Sequence, residues 1–322
     1  MRRFLLLALV ACSRGASPEP TPAATPVAPR PVAPPAPVVD PVPKTPLPET
    51  PQPAELDCTA LPFETTTSIP EASAAAWMTI DGRLVLVVVS DSGNDGAYGL
   101  VDPDTGKTLE TGALPMGRDN DDVEGLSVRG GKLFGLTSAG WMRVWERRGK
   151  AFVLVDGPYP IGPVDLPDGG GGNRPPKTDG MVCAATAFNC GRNYEGLCLP
   201  SAGPGFVAAK ADGQLYSLVE TGGKWQVSRA HPIAVAEPSA LADCAFDDQD
   251  RLWAGSNLFG LSNVYRIDGW RDPATARVVS IGPMGPGFPE VIAGRGDILY
   301  RMSDTNGSPS LMAKFRCVAK QR

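Results

Sequence analysis

The sequence predicts an all-β fold, a five-bladed β-propeller closed by pairing of its N- and C-terminal strands. A glutamate precedes a short apolar stretch five times, at separations of 53, 71, 42 and 53 residues, and the five are Glu71, Glu124, Glu195, Glu237 and Glu290. A second strand-like stretch follows each of them, and no convincing helical period occurs in this part of the chain. A recurrence near fifty residues with strand patterning is typical of a propeller.

Each repeat is predicted to contain four short strands. In the first repeat, Glu71 opens the inner strand, and residues 84–89, 98–101 and 108–110 supply the next three. The fifth repeat ends near Cys317, so residues 58–67 should supply its outermost strand. The fourth repeat fits least well, because Glu237 stands far before the second strand and Asp243 is an alternative counterpart.

The first twelve residues have the layout of an export signal, with two arginines, a short apolar run and a terminal cysteine. The run Leu9-Val10-Ala11-Cys12 resembles the bacterial lipobox, whose cysteine carries the lipid. Residues 1–12 are therefore expected to be a lipoprotein signal peptide with Cys12 lipidated, and an ordinary signal peptide is the alternative. Ser13 in place of aspartate favours the outer membrane over inner-membrane retention.

Residues 13–57 form a Pro/Ala-rich segment that holds 15 of the 34 prolines. Such a composition cannot bury enough apolar surface to fold, so we expect a disordered linker. Residues 58–322 remain as the propeller domain, which carries the whole net charge of −5 because the residues before it are balanced. A mildly acidic domain argues against nucleic acid as a partner.

Six cysteines lie in the propeller domain, an even number that fits disulfides in an oxidising compartment. Cys58 and Cys317 bracket the domain where the ring must close, so we expect them to pair. Cys183 and Cys190 could form a disulfide across the long loop before Glu195. Cys198 and Cys244 occupy equivalent places in adjacent repeats and could also pair. The connectivity beyond Cys58–Cys317 stays open.

The glutamates should ring the mouth of the central channel, on the face that carries the turns after the second strands. Five carboxylates in one mouth need a compensating charge, and oxygen ligands favour Ca²⁺. The alternative is that each glutamate only ties its strand to the neighbouring blade. Further binding residues expected on this face are Asp91, Ser92, Asn94, Asp122, Arg192, Arg301 and Asp304.

Part of the domain resembles known propellers. The run 90–94 (Ser-Asp-Ser-Gly-Asn), the segment 101–106 and the run 122–126 (Asp-Val-Glu-Gly-Leu) look like motifs of the SdiA-regulated and esterase-like-phytase propellers of bacterial envelopes. Val123 stands where those motifs have tryptophan. The ring of glutamates is similar, more distantly, to calcium-activated nucleotidase (apyrase). The resemblance implies a calcium-bearing propeller and permits phosphoester or phosphoanhydride chemistry.

We therefore expect a monomeric, lipid-anchored binding module that takes a protein or glycan ligand in the cell envelope. Trp141, Phe259 and Trp270 are candidate surface aromatics for that ligand. The alternative is a metal-dependent hydrolase of phosphoesters or phosphoanhydrides, in which the carboxylates hold the metal and the arginines contact the anionic substrate. No nucleophile motif favours any other reaction.

Overall fold

The structure is a computed structural model that describes residues 55–117, 120–166, 182–228, 231–236, 240–257 and 262–320. The predictions for Cys12, for the linker up to residue 54 and for Glu237 lie outside these ranges. All regular elements in the described ranges are β-strands. Within the same ranges, no helix has the length and apolar character needed to cross a membrane.

Five antiparallel sheets make up the fold, and they are numbered here as blades in chain order. The strands that precede the first complete sheet are β1 (Leu56–Leu61) and β2 (Thr66–Pro70). Blade 1 contains β3 (Ala72–Ile80), β4 (Arg83–Ser90), β5 (Ala97–Val101) and β6 (Thr108–Ala113). Blade 2 contains β7 (Val123–Arg129), β8 (Lys132–Thr137), β9 (Trp141–Arg148) and β10 (Ala151–Pro160).

A short parallel pair follows blade 2, formed by β11 (Val164–Leu166) and β12 (Val182–Cys183). Blade 3 contains β13 (Tyr194–Cys198), β14 (Gly205–Ala209), β15 (Gln214–Thr221), β16 (Lys224–Val227) and the accessory β17 (Ile233–Ala234). Blade 4 contains β18 (Leu241–Phe246), β19 (Leu252–Ser256), β20 (Asn263–Asp268) and β21 (Arg277–Pro283). Blade 5 contains β22 (Phe288–Arg295), β23 (Ile298–Asp304) and β24 (Pro309–Ala319).

The two ends of the domain complete blade 5 together, as the sequence predicts. Strand β1 pairs antiparallel with β24, and Cys58 lies opposite Cys317 in that register. The predicted single outer strand over 58–67 is in fact two strands, because β2 pairs separately with the start of β24. A disulfide joins Cys58 to Cys317 across the closure. The ring is therefore held by a β ladder and by a covalent bond.

The apolar core is divided among the contacts between blades. Five clusters of buried side chains each join two adjacent blades, so every interface around the ring has its own apolar packing. Blades 1 and 2 meet at Val87, Tyr98 and Trp145, for example. Successive side chains of a strand point to opposite faces of its sheet. Because the neighbouring blades bury both faces, the central strands are almost continuously apolar.

The innermost strands of neighbouring blades approach each other closely beside the glutamates. A Cβ atom added to Gly125 would lie 2.5 Å from the backbone nitrogen of Leu197 in the next blade. A Cβ added to Gly196 would lie 2.6 Å from the backbone nitrogen of Cys244. Glycine follows Glu124 and Glu195 because no side chain fits between these backbones.

The other four cysteines also form disulfides. Cys198 and Cys244 join the innermost strands of blades 3 and 4, with their Cα atoms 5.7 Å apart. Cys183 and Cys190 close a short loop before blade 3. All three pairings that the sequence suggests are therefore present, and three disulfides indicate an oxidising, extracytoplasmic location.

Candidate functional site: a carboxylate-lined channel mouth

Every innermost strand carries a β-bulge at the same place in its blade. Where it pairs with the second strand, one residue has no partner across the ladder, and these five residues are called the bulge ring: Ser73, Glu124, Glu195, Ala242 and Glu290. A bulge locally disrupts the ladder and re-aims a side chain. The repeat therefore presents five side chains in equivalent positions, three of which are glutamates.

A second set of residues stands where each second strand ends: four follow the strand directly, and Asp304 is the last residue of β23. These residues are called the turn ring: Asp91, Ser138, Lys210, Asn257 and Asp304. The predicted proximity of these turns to the glutamates is seen at Asn257, whose amide nitrogen lies 2.7 Å from Oε1 of Glu290. The bulge ring and the turn ring together define the mouth of the channel.

Three glutamates of the bulge ring converge at this mouth. One carboxylate oxygen from each of Glu124, Glu195 and Glu290 lies within 4.8 Å of the others, and all three residues are buried. Further along the inner strands is a cavity of about 70 Å³, and most of its lining residues, which include Trp77 and Phe246, are apolar. The carboxylates therefore stand at one end of the inner strands, and mainly apolar residues line the cavity beyond them.

Lys210 of the turn ring places an ammonium group between two of these carboxylates. Its Nζ atom donates to Oε2 of Glu195 at 2.8 Å and to Oε1 of Glu290 at 3.2 Å. Burial lowers the pKa of Lys210, but the charges of Glu195 and Glu290 outweigh burial and raise it. The lysine is therefore charged, and it compensates one of the negative charges of the mouth.

A second carboxylate group adjoins the first. One oxygen from each of Asp91, Asp122 and Glu124 lies within 4.8 Å of the others, so Glu124 belongs to both groups. Asp122 accepts hydrogen bonds at Oδ2 from the backbone nitrogen of Ser138, at 3.3 Å, and from the Ser138 hydroxyl. Asp91 is only partly buried, so this second group faces solvent more than the first.

Removal from water raises the pKa of every acid in the two groups. Burial, with added repulsion from neighbouring acids, raises the pKa of Asp122 to about 6. The same causes raise the pKa of Glu124 well above its usual range and that of Asp91 above its usual range. Burial raises the pKa of Glu195 to about 8 and also raises that of Glu290, although Lys210 opposes both shifts.

Several buried oxygens at the mouth have no hydrogen-bond partner among the described residues. They are Oδ1 of Asp122, Oε1 of Glu195 and Oδ1 of Asn257. A buried polar atom without a partner is costly, and a bound ion or water is the usual resolution. Carboxylate and amide oxygens suit a hard cation such as Ca²⁺, so these residues fit the ion that the sequence predicts.

The structure places one of the predicted glutamates, Glu71, at a different position in its blade. Glu71 stands just before β3, two residues ahead of Ser73, and its Oε2 accepts the Asn94 amide at 2.9 Å. It is the counterpart of Asp122 rather than of Glu124, since each of the two stands two residues before the bulge residue of its strand. Glu237 lies outside the described residues. The described inner strand of blade 4 carries Ala242 at the bulge instead.

Asp243, the alternative counterpart in blade 4, follows the bulge. Its two oxygens accept the backbone N–H groups of Cys244 at 2.7 Å and of Ile292 at 2.8 Å. Burial raises the pKa of this carboxyl well above its usual range. Asp243 therefore ties blade 4 to blade 5, the structural role considered as the alternative for the glutamates.

The two predicted anion-binding arginines are engaged elsewhere. Arg301 is fully buried and donates to the Pro289 carbonyl of its own blade at 3.0 Å. Its guanidinium also packs against Gly255 of blade 4, where an added Cβ would collide with it, so Arg301 lies between blades 4 and 5. Arg192 pairs with Asp212 at 2.8 Å and stacks over the Tyr216 ring at 4.0 Å. The position of Arg301 follows from which face of blade 5 its side chain occupies. The sequence alone does not show which residues of β23 point to that buried face.

The remaining predicted binding residues lie in the loops around the mouth. Asp304 accepts the Asn306 backbone N–H at 2.8 Å, and its charge raises the pKa of Glu290. Ser92 donates its backbone N–H to Asp91. Asn94 also bonds the Asp91 carbonyl at 3.1 Å. These contacts order the loop that carries Asp91.

The candidate surface aromatics are largely used in packing. The Trp270 ring lies 4.7 Å from Phe246 and is buried, and the Trp141 indole nitrogen donates to the Cys183 carbonyl. Phe259 lies outside the described residues. The described residues therefore offer less aromatic surface to a glycan than the sequence suggests.

Comparisons with known proteins find a similar fold in solved structures. No protein-family model matches the chain, and no curated protein matches its sequence. The structure is similar to the PQQ-bound form of aldose sugar dehydrogenase from Streptomyces coelicolor, at a TM-score of 0.50 and 15% identity over 83% of this chain and 99% of that chain. It is also similar to glutaminyl cyclase from Myxococcus xanthus, at a TM-score of 0.47 and 14% identity over 83% and 100% of the two chains.

At 15% identity, the likeness to the aldose sugar dehydrogenase concerns the fold alone. The class that fold and site together define is an all-β propeller with disulfides and a buried carboxylate mouth.

Proposed function

We propose that this protein is a lipid-anchored, extracytoplasmic propeller that binds Ca²⁺ at the channel mouth and acts as a binding module in the cell envelope. The ion would take oxygens of Glu124, Glu195 and Glu290, with Lys210 remaining beside it. The turns around the mouth would then form a surface for a protein or glycan ligand.

The observation that carries the proposal is the set of buried oxygens without partners. Glu195 is 1% exposed, and only one of its two carboxylate oxygens has a hydrogen-bond donor among the described residues. When the three carboxylates are ionised, the ammonium of Lys210 leaves two negative charges uncompensated in a buried site. A divalent cation supplies both the missing charge and the missing ligands, and calcium accepts six to eight oxygens in flexible geometry. The single histidine in the chain argues against zinc.

Location rests on two features of the chain. Three disulfides favour an oxidising compartment. The lipobox-like run that ends at Cys12 supports attachment to the outer membrane through acyl chains, with residues 13–57 as a spacer before the propeller domain at 58–322. Replacing Cys12 with alanine should abolish palmitate labelling and release the protein from membranes. Retention of the label in that variant would contradict the anchor.

Thermal melting tests the calcium site. Calcium at 100 times its dissociation constant should stabilise the protein by about 2.7 kcal/mol relative to EDTA, which is about 5–10 °C for a domain of this size. The Glu195→Gln variant should lose this response. Asp297→Asn is the matched control, since Asp297 is half exposed and pairs with Arg316, away from the mouth. An unchanged midpoint in the parent protein would contradict the proposal.

Metal-assisted hydrolysis of a phosphoester or phosphoanhydride is the second candidate function. The partial exposure of Asp91 favours it, because a substrate oxygen could approach an ion there. Buried carboxylates would hold the ion, and Lys210 would keep their orientation. Incubation with calcium and a panel of nucleotides and phosphoesters tests this candidate. Turnover that disappears in Glu124→Gln would favour hydrolysis, and inactivity across the panel would favour binding alone.

A further inference from the structure

The mouth contains two overlapping groups of possible ligands, and the calcium site proposed above uses only one of them. The deeper group is Glu124, Glu195 and Glu290, and the outer group is Asp91, Asp122 and Glu124. Because Glu124 belongs to both, its two oxygens could face two ions at once. A carboxylate that bridges two ions is the usual way to hold them about 3.5–4 Å apart.

An independent observation points to a ligand at the outer group. Asp122 is 1% exposed, and Ser138 fixes its Oδ2 atom. Its Oδ1 atom has no partner among the described residues, although a buried carboxylate oxygen normally has one. Ser138 therefore fixes Oδ2 of Asp122. The Oδ1 atom remains available as a ligand in the group that Asp122 forms with Asp91 and Glu124.

Charge compensation also favours two ions over one. The two groups contain five carboxylates, and among the described residues Lys210 is the one cation that forms a salt bridge with them. Fully ionised, this set has four negative charges, which equals the charge of two divalent cations. One ion would leave two uncompensated charges in a buried site, which is costly. Glu71 and Asp304 add negative charge nearby, since both act on Asp91.

We propose that the mouth binds two hard divalent cations bridged by Glu124. The inner ion is held by Glu124, Glu195 and Glu290, as proposed above, and the outer ion by Asp91, Asp122 and Glu124. The inference rests on the proposed calcium site for its first ion. The outer ion would keep water ligands because Asp91 is partly exposed. Those positions would admit an anionic oxygen, such as a phosphate or carboxylate oxygen of a ligand.

Counting bound calcium tests the inference. The full chain, stripped of metal and equilibrated by dialysis against Ca²⁺, should bind two ions as measured by atomic emission. Asp122→Asn should bind one, because the amide keeps the shape and can still contact Ser138 but removes a charged ligand. Glu195→Gln should also bind one, and the charge control Asp297→Asn should bind two.

The variants separate the two proposals. Asp91→Asn serves as the second outer-site variant, because Asp91 is partly exposed and its replacement spares the packed interior. Near-UV circular dichroism verifies the fold of each. One ion in the parent protein, lost in Glu195→Gln and kept in Asp122→Asn, would overturn the outer site and leave the calcium site intact. No bound ion in the parent protein would overturn both.

Discussion

The disulfide that closes the ring should contribute more to stability than the disulfide that staples a loop. The Cys58–Cys317 bond spans 259 residues, whereas the Cys183–Cys190 bond spans 7. A cross-link lowers the entropy of the unfolded chain, and the effect grows with the logarithm of the loop length. These separations give about 5–6 kcal/mol for the closure and about 2.5 kcal/mol for the loop.

Double alanine variants measure the difference. Removing both cysteines of a pair avoids a free thiol, and each double variant loses two sulfur atoms, so the loop pair is a matched control for the closure pair. Urea unfolding under non-reducing conditions gives the free energy of unfolding of each variant. The closure variant should lose about 3 kcal/mol more than the loop variant, by the same logarithmic relation. Equal losses, or a larger loss for the loop pair, would refute the reasoning.

Three further predictions concern the mouth. Replacing Lys210 with methionine should destabilise the calcium-free protein by about 3–5 kcal/mol in urea unfolding, because buried carboxylates lose their partner; no loss would contradict this role. The raised pKa values of Asp122, about 6, and Glu195, about 8, mean that the folded state binds more protons than the unfolded state. The calcium-free melting temperature should therefore fall from pH 4 to pH 8, because the free energy of unfolding decreases by about 1.4 kcal/mol per pH unit for each extra proton that the folded state binds; a rise would contradict this. Gly125→Ala should cost about 1–3 kcal/mol and weaken calcium binding, because its Cβ would push against Leu197; unchanged calorimetric melting and calcium titration would refute the tight fit.

The architecture could be predicted because it depends on patterns that sequence displays. Strand runs at a recurring interval give the blades, and the missing outer strand of the fifth repeat gives the closure by β1. The cysteines near both ends of the domain support the same conclusion. Three of the glutamates that opened the repeats, Glu124, Glu195 and Glu290, are the ones that converge.

The details of the mouth depend on features that sequence does not display. Glu71 looks equivalent to Glu124 in the sequence, but it stands two residues before the bulge of its strand, and Ser73 occupies the position of Glu124. Lys210 follows β14 in a turn without any recognisable motif. The pairing of β13 with β14 brings it to Glu195, but only the ring arrangement brings it to Glu290 of blade 5. Arg301 looked like an anion-binding residue, but its position along β23 buries it between blades.

A crystal structure of the protein grown with calcium tests the central claim most directly. The account predicts an ion with oxygens of Glu124, Glu195 and Glu290 at about 2.3–2.6 Å, the range of calcium–oxygen distances. Carboxylates that contact only Lys210, water and one another, with no ion between them at saturating calcium, would contradict it.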